Sequence, residues 1–298
     1  MLFFLFTIDT EYVIILSIKA KEIILIMIIE ENENTLVLKD VKCLDLALTL
    51  DCGQAFRWVE EKDGSWSGAA YGKYLNIKKN GNGDLVLNTT IEDFNAVWRN
   101  YFDLDRNYAE ICSKLKEDRL VASTIDEYYG IRILNQEPWE ALVSFVISQQ
   151  NNIKRIKGII KRLCDTYGEK INGEWHAFPD AEVLSRLSVE DFEALGTGYR
   201  GKYLKKLADD VASGAVNLDA IKKMSLEDAK KALLAIYGVG IKVANCALLF
   251  GFQFIECFPV DVWMKRVLDY YPNGLPECFK GYEGIAQQYL FHWARNNL

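Results

Sequence analysis

The fold is decided by two neighbouring stretches, LAIYGVGIKVANCALLF (residues 234–250) and FPVDVWMKRVL (residues 258–268). The glycine motif GVG at 238–240 lies between two apolar segments with helical spacing. The first segment begins at Ser225, and Asp228 three residues later is typical of a capped helix start. The paired glycines predict a tight helical hairpin whose backbone N–H groups can approach an anion such as a phosphate.

Lys242 and Asp261 both fall at predicted helix starts. The N-terminal end of a helix is positive, so a partly buried lysine there should lose its proton more easily than a free one. A neutral amine is a nucleophile. Asp261 follows a proline and is a favoured N-cap residue, so it is predicted to open the next helix. An amine and a carboxylate at two helix starts can face one cleft.

The combination of GVG, Lys242 and Pro259-Val260-Asp261 resembles the helix-hairpin-helix DNA glycosylase superfamily. Because Lys242 is present, it resembles most the 8-oxoguanine DNA glycosylases. Further ordered motifs carry the same likeness, namely LDLALTLDCGQAFRW (44–58), GIRILNQEPWEALVSFVISQQNNIKRIKGIIKRLC (130–164) and LGTGYRGKYL (195–204). The resemblance covers residues 35–298.

The rest of the chain predicts an α+β fold. Short alternating segments between Thr35 and Asn88, including AFRWVEE, are separated by Asp-Gly and Asn-Gly turns, which favours antiparallel strands. From Ile91 the pattern is helical to the end. We therefore predict an N-terminal antiparallel twisted sheet (35–122) packed on a larger all-α helix-hairpin-helix region (123–298). Residues 1–34 are interpreted as an extension outside the resemblance, and Met27 is a candidate start of translation.

Composition limits the possible functions. The net charge of −7 argues against an indiscriminate nucleic-acid binder, although a local basic patch remains compatible with it. Interrupting charges in 1–34 leave no run of the ~18–20 apolar residues that a membrane span needs. Seven cysteines without a CxxC motif indicate reduced thiols, and they leave no iron–sulfur loop. We expect a monomer in a bacterial cytoplasm that binds damaged double-stranded DNA and no membrane.

The amides Gln149-Gln150-Asn151-Asn152 interrupt an apolar stripe that begins at Pro138-Trp139. They predict either a solvated loop between two helices or polar groups that line a cleft. Two basic clusters follow, at 154–162 and 199–206, and most of their lysines are expected on solvated helix faces.

The resemblance implies the catalytic roles. Lys242 would attack C1′ of the deoxyribose, expel the base and leave a Schiff base that permits β-elimination. Asp261 would stabilise the developing positive charge. Taken alone, Asp261 is better interpreted as a plain N-cap and Lys242 as a phosphate contact, whereas the two together at the family's spacing favour catalysis.

The resemblance also implies a pocket for an extruded base. Cys246 and Phe291 would stack on its two faces, and Gln287 would read its Watson–Crick edge. The backbone of Gly53 would accept the N7–H that distinguishes 8-oxoguanine from guanine. Without the resemblance, these are a buried thiol, a core phenylalanine and a strand-entry glycine.

Contacts to the DNA follow from the same likeness. Tyr199 resembles the wedge, and Arg155 and Arg200 resemble the pair that recognises the opposite cytosine, with Gln150 filling the gap. The eukaryotic pattern has asparagine where this chain has Gln150, so we predict a looser preference for the opposite base.

At the hairpin, Gly238 and Gly240 would donate N–H groups to a phosphate. The carbonyls of Ile236 and Val239 can hold a monovalent cation when DNA is bound, and no organic cofactor is implied. Two further departures from the eukaryotic pattern are Trp263 in place of histidine and Tyr237 in place of proline.

Three other functions compete with this interpretation, and one of them, a structural or interaction protein, is disfavoured by the basic helices and the amide run. Glycosylases for alkylated bases share the hairpin and the aspartate but lack the lysine, so Lys242 argues against them. A non-catalytic hairpin module that only grips DNA needs neither Lys242 nor Asp261.

Overall fold

The computed structural model describes residues 2–9, 12–19, 22–32 and 34–298. It confirms the α+β class, because an antiparallel sheet precedes a mostly helical region. The strands among these residues are β1 Leu2–Asp9, β2 Tyr12–Lys19, β3 Glu22–Asn32, β4 Thr35–Lys39, β5 Val59–Glu60, β6 Trp66–Ala70, β7 Lys73–Lys79, β8 Leu85–Leu87, β9 Lys170–Asn172 and β10 Trp175–His176.

Helices build the remainder of the described chain. They are α1 Leu46–Leu50, α2 Ile91–Asp93, α3 Arg99–Tyr101, α4 Tyr108–Leu115, α5 Arg119–Glu127, α6 Pro138–Ile147, α7 Ile153–Tyr167, α8 Ala181–Ser185, α9 Val189–Ala194, α10 Gly201–Ala212, α11 Leu218–Lys222, α12 Leu226–Leu234, α13 Ile241–Phe250, α14 Val262–Leu268 and α15 Glu283–Asn297. A π-helical turn (Phe94–Trp98) joins α2 to α3, and 3-10 turns occur at Gly198–Arg200 and Glu277–Phe279.

The large sheet has eight strands in the order β1-β2-β3-β4-β8-β7-β6-β5. Alternate residues of β4 and β8 are buried, and Leu36 pairs with Leu87 while Leu38 pairs with Leu85. This two-residue period follows from the pleat of a strand. The buried face packs on an aromatic group around Trp58 and Trp98, whose rings lie 6.2 Å apart.

The sheet begins upstream of the predicted boundary at residue 35. Strand β3 pairs with β4 from Ile28 opposite Lys39 to Asn32 opposite Thr35, and β1 and β2 follow outward. Met27 lies within β3, whereas Met1, Thr10, Glu11, Ala20, Lys21 and Glu33 lie outside the described residues. The domain boundaries stay a prediction, because strand pairing alone does not delimit a folding unit.

Two details of the predicted elements were wrong. The segment AFRWVEE is a strand only at Val59–Glu60, because Phe56 and Arg57 turn toward the helices and contact Phe145 and Glu140. The stretch after α7 is not helical throughout, because β9 and β10 pair there. The Asn172-Gly173 turn carries the signal for this hairpin, with Gly173 at φ +51°.

The helix starts around the hairpin agree with the sequence. The Ser225 hydroxyl accepts a hydrogen bond from the Asp228 N–H at the start of α12. Asp261 caps α14, and α13 ends before Gly251 as expected. A β-carbon at Gly251 would lie 2.8 Å from the Ala141 Cβ, so α13 and α6 approach closely there. The hairpin is thereby fixed against α6.

Candidate active site

A cleft of about 710 Å³ opens between the α6–α7 loop, the hairpin, α14 and α15. At its deep end lies a smaller cavity of about 50 Å³. The smaller cavity brings together the predicted catalytic and base-pocket residues, which are Gly53, Lys242, Cys246, Asp261, Gln287 and Phe291.

Lys242 lies in the first turn of α13 and is half-buried. Its Nζ donates a hydrogen bond to Ser148 Oγ at 3.0 Å and lies 5.2 Å from the centroid of the Phe145 ring. The Ser148 hydroxyl itself donates to the Phe145 carbonyl at 2.8 Å, so it presents lone pairs to the amine. The side chain therefore points into the cleft, between α6 and α13.

Asp261 serves as the N-cap of α14 and also lines the cleft. Its Oδ1 accepts the N–H groups of Trp263 at 3.0 Å and Met264 at 2.9 Å. Both bonds use the same oxygen, which leaves Oδ2 for a partner in the cleft. The N-terminal end of a helix favours a carboxylate anion. Capping and chemistry are thus compatible in one residue.

Cys246 follows Lys242 by one helical turn and is buried. Burial raises the pKa of its thiol, and the nearby Lys242 opposes that rise. The thiol is therefore protonated and apolar at neutral pH, which suits a surface against which a base can pack. Phe291, half-buried on α15, lines the same cavity.

Gln287 is 5% exposed, and its Oε1 is buried without a hydrogen-bond partner among the described residues. A buried acceptor without a hydrogen-bond partner lowers the stability of a protein by about 1–3 kcal/mol, so such groups are rare in native structures. Because Gln287 lines the small cavity, a ligand with an N–H group could satisfy this oxygen.

Gly53 enters the cavity from a loop that follows α1. Its φ of +88° is a left-handed conformation, and a β-carbon there would lie 3.1 Å from Ile153 Cδ1. The neighbouring Gln54 is fully buried and holds the loop, since its side-chain amide donates to the carbonyls of Thr49 at 2.9 Å and Arg132 at 2.7 Å. Only glycine fits here without strain.

The amide run of residues 149–152 forms the loop between α6 and α7 and lines the cleft, so both predicted alternatives apply. Gln150 has a left-handed φ of +46°. Gln149 Nε2 donates to the Gly238 carbonyl at 3.0 Å, which ties this loop to the hairpin.

Arg200 is buried, although the resemblance pairs it with Arg155 for recognition of the opposite cytosine. It is 3% exposed, and its guanidinium donates to the carbonyls of Thr197 at 3.0 Å, Gln149 at 2.8 Å and Gln150 at 3.1 Å. A guanidinium has five N–H donors, and backbone carbonyls occupy most of them here. Arg200 therefore supports the amide loop, whereas Arg155 is exposed and donates to the Gly196 carbonyl.

Tyr199 is 44% exposed beside the cleft, and its hydroxyl donates to Gln150 Oε1 at 3.5 Å. Tyr203 meets the Tyr199 ring edge-on at 5.9 Å and covers Gly238. The Tyr237 ring lies 5.2 Å beyond Tyr203 and is exposed. A row of tyrosines thus connects the predicted wedge to the hairpin.

The two hairpin glycines have different surroundings. Gly238 has φ +84°, and a β-carbon there would lie 2.4 Å from Tyr203 Cγ. Gly240, the N-cap of α13, meets nothing within 4 Å. Trp263 lines the cleft beside them, with the Arg266 guanidinium 5.0 Å from its ring.

Sequence reasoning missed several residues of the site, namely Phe145, Ser148, Lys265, Gln288 and Arg295. Ser148 lies 94 residues before Lys242, and nothing local marks the contact. Among the described residues, no cluster of histidine, cysteine or acidic side chains could hold a metal ion. In the same part of the chain, no helix is long and apolar enough to cross a membrane.

Two family models match consecutive parts of the chain. Residues 36–142 match the N-terminal domain of 8-oxoguanine DNA glycosylase. Residues 143–274 match the HhH-GPD superfamily base excision DNA repair protein. Together they cover the sheet from β4 to β8, the amide loop and the hairpin.

Curated relatives include the N-glycosylase/DNA lyase of Saccharomyces cerevisiae, which is 32% identical over 75% of this chain and 67% of its own length. The N-glycosylase/DNA lyase of Arabidopsis thaliana is 30% identical over 76% of this chain and 66% of its own length. The matched region thus spans about two thirds of each relative.

Among solved structures, the 8-oxoguanine glycosylase/lyase of Clostridium acetobutylicum, in complex with double-stranded DNA containing cytosine opposite 8-oxoguanine, is 37% identical. The TM-score is 0.86, with 90% of this chain and 98% of that chain covered. A 3-methyladenine DNA glycosylase from Archaeoglobus fulgidus, 19% identical with a TM-score of 0.69, shares the fold.

Proposed function

This chain belongs to the 8-oxoguanine DNA glycosylase family, and on that premise we propose that it removes 8-oxoguanine from duplex DNA and then cleaves the abasic strand. It is an N-glycosylase and DNA lyase of base-excision repair. A base inside the stack cannot be reached, so the damaged nucleotide must leave the duplex before the reaction.

In the proposed mechanism, neutral Lys242 Nζ attacks C1′ of the extruded nucleotide. A bond forms between Nζ and C1′ while the bond from C1′ to N9 of the base breaks, and the base leaves with the electron pair. Asp261, through its unused Oδ2, stabilises the positive charge that develops on the sugar. Loss of a proton from nitrogen and opening of the sugar ring give an imine, whose acidic C2′ proton permits β-elimination of the 3′ phosphate.

The observation that carries this proposal is the convergence of Lys242, Asp261 and Gln287 on one cavity. The amine and the carboxylate supply the chemistry, and the unpaired Gln287 Oε1 supplies an acceptor for an N–H of the base. The small cavity shares Gly53, Lys242, Asp261 and Phe291 with the cleft of about 710 Å³, so an extruded base would enter it from that cleft.

The hairpin is proposed to hold the DNA backbone. The first-turn N–H groups of α13 have no partners within the helix and can bind a phosphate near Gly238 and Gly240. A monovalent cation at the carbonyls of Ile236 and Val239 stays a prediction. The Ile236 carbonyl accepts the Val239 N–H at 3.1 Å, and its second lone pair fits such an ion.

Covalent trapping tests the proposal. Borohydride reduces an imine, so the wild-type protein should become cross-linked to a duplex that contains 8-oxoguanine, and Lys242→Gln should abolish the cross-link without abolishing DNA binding. A wild-type protein that binds and never cross-links would be a non-catalytic module. One that ignores this lesion but removes alkylated bases and leaves the strand intact would be the alkylated-base enzyme.

Asp261→Asn separates the carboxylate's charge from its capping role. Asparagine is as good an N-cap as aspartate, so α14 should keep its start and the protein its stability. Loss of the charge should slow base removal by about 100- to 1000-fold, the usual effect of removing one electrostatic stabiliser. If Asp261→Asn removed the base at the wild-type rate, the role of Asp261 would be helix capping and not catalysis.

A further inference from the structure

Gln288 lies in α15 directly after Gln287 and is 2% exposed. Its side-chain Nε2 is 3.1 Å from Cys52 Sγ and 3.4 Å from the Cys52 carbonyl, across 236 residues of sequence. Cys52 directly precedes Gly53. Gln288 therefore links the helix that carries Gln287 to the loop that carries Gly53.

The sulfur of Cys52 is an acceptor in this contact. Cys52 is fully buried, and burial raises the pKa of its thiol, so the thiol stays protonated. The S–H donates to the Thr49 carbonyl at 3.4 Å, which leaves a sulfur lone pair for Gln288 Nε2. The thiol thus contacts its own loop through Thr49 and α15 through Gln288.

The downstream side of Gly53 is fixed independently of α15. Gln54 Oε1 accepts the Leu134 N–H at 2.9 Å, and the Gln54 carbonyl accepts an N–H from Gln136 at 2.6 Å. These contacts anchor Gln54 to the segment that precedes α6. The contact between Gln288 and Cys52 is therefore a direct link between α15 and the residue that precedes Gly53.

We infer that Gln288 is a specificity-positioning residue, which sets the distance between the Gly53 backbone and Gln287 and so the preference for 8-oxoguanine over guanine. The inference rests on the proposed function. The two bases differ at N7, which is an N–H in 8-oxoguanine and a lone pair in guanine. Hydrogen bonds weaken steeply outside a narrow range of distance and angle, so an acceptor discriminates between them only while its position is fixed.

The test is a ratio of affinities. In the Lys242→Gln background, which cannot react, dissociation constants are measured for a duplex with 8-oxoguanine opposite cytosine and for the same duplex with guanine. Gln288→Met keeps the length of the side chain and removes its donor. The ratio is the dissociation constant for the guanine duplex divided by that for the 8-oxoguanine duplex. We expect Gln288→Met to lower this ratio by roughly three- to tenfold, the effect of losing one neutral hydrogen bond.

Two controls make the result specific. With Lys242 intact, Gln288→Met should cleave a preformed abasic site at the wild-type rate, because an abasic site has no base to read. Asn296→Ala removes another amide of α15, whose Nδ2 donates to the His292 carbonyl at 3.1 Å on the exposed face, and should leave the ratio unchanged.

Each outcome decides the inference. A lower ratio with unchanged abasic-site cleavage supports it. An unchanged ratio overturns it, because Gln288 would then be irrelevant to specificity. A lower ratio together with a comparable loss of abasic-site cleavage also overturns it, because Gln288 would then be merely structural. If the protein with native Gln288 shows no preference for 8-oxoguanine, the proposed function fails as well, and that failure is visible before any Gln288 variant is measured.

Discussion

At the mouth of the cleft, hydrogen bonds to the backbone and close packing already fix most of the side chains. The guanidinium of Arg200 donates its N–H groups to three backbone carbonyls, and the position of Gly53 has no room for a side chain. Gln150 differs, since it is exposed and its side-chain oxygen meets only the tip of Tyr199. Variation at Gln150 should therefore change recognition while the framework stays intact.

Gln150→Asn should strengthen the preference for cytosine opposite the lesion. Asparagine adopts the left-handed backbone at position 150 more readily than glutamine, so the loop should keep its shape. Its shorter amide would no longer reach Tyr199 and would be free for the opposite base. The measurement is the rate of 8-oxoguanine removal opposite each of the four bases.

The wild-type protein should show the flatter profile of the two. If the variant and the wild type showed the same relative rates opposite the four bases, Gln150 would have no part in recognition of the opposite base.

At the scale of elements, the hairpin between α12 and α13 combines a strained turn with a close contact. Gly238 has a positive φ and lies under Tyr203, which also contacts Tyr199 and Tyr237. The amide loop reaches the same glycine through Gln149. The turn therefore sets the relative positions of the phosphate site, the wedge and the amide loop.

Gly238→Ala should lower the free energy of unfolding by roughly 2–5 kcal/mol, the sum of a left-handed alanine and an overpacked contact. The matched variant is Gly240→Ala, where φ is negative and no atom lies within 4 Å. It should cost less than about 1 kcal/mol, the effect of a poorer N-cap residue. Denaturant unfolding of both proteins measures the difference.

Equal destabilisation by the two substitutions would show that the contact between Gly238 and Tyr203 is not tight. In that case Tyr203 would be free to move independently of the hairpin.

At the scale of the whole molecule, the sheet and the helices form two adjoining cores. The segment between α1 and β5 crosses from one to the other, with Phe56 packed on Phe145 and Arg57 paired with the buried Glu140 at 3.2 Å. Breaking such a pair is costly, because one charge stays buried alone. The cavity lies where α15 meets this crossing segment, so its shape depends on both cores.

His292 on α15 makes the stability of the whole protein depend on pH. Burial lowers the pKa of His292 from its ordinary value of 6.5, and Arg295 lowers it further. As pH falls below about 6.5, the unfolded state takes up the proton first, so stability is complete above that pH and decreases below it.

His292→Phe should remove this decrease while it keeps the edge-on ring contact with Tyr128 at 4.5 Å. Urea unfolding between pH 5 and pH 8 measures it, and the stability difference between variant and wild type should change in favour of the variant as pH falls. Parallel profiles for the two proteins would show that His292 does not titrate differently on folding.

The sequence alone determined the features whose hydrogen bonds are local. The caps at Ser225 and Asp261 each join residues three positions apart or fewer, so the pattern of residue types predicts them. The same holds for the hairpin glycines and the one-turn spacing of Lys242 and Cys246. Local signals also gave the α+β class, because strand and helix periods are short-range.

Only the tertiary structure decided which distant groups meet. The contacts from Lys242 to Ser148, from Gln288 to Cys52 and from Arg200 to the amide loop span 94, 236 and about 50 residues. Whether such groups touch depends on how the helices dock, and docking is set by summed packing over many side chains. For this reason nothing in the sequence showed that Arg200 would be buried beneath the loop it supports.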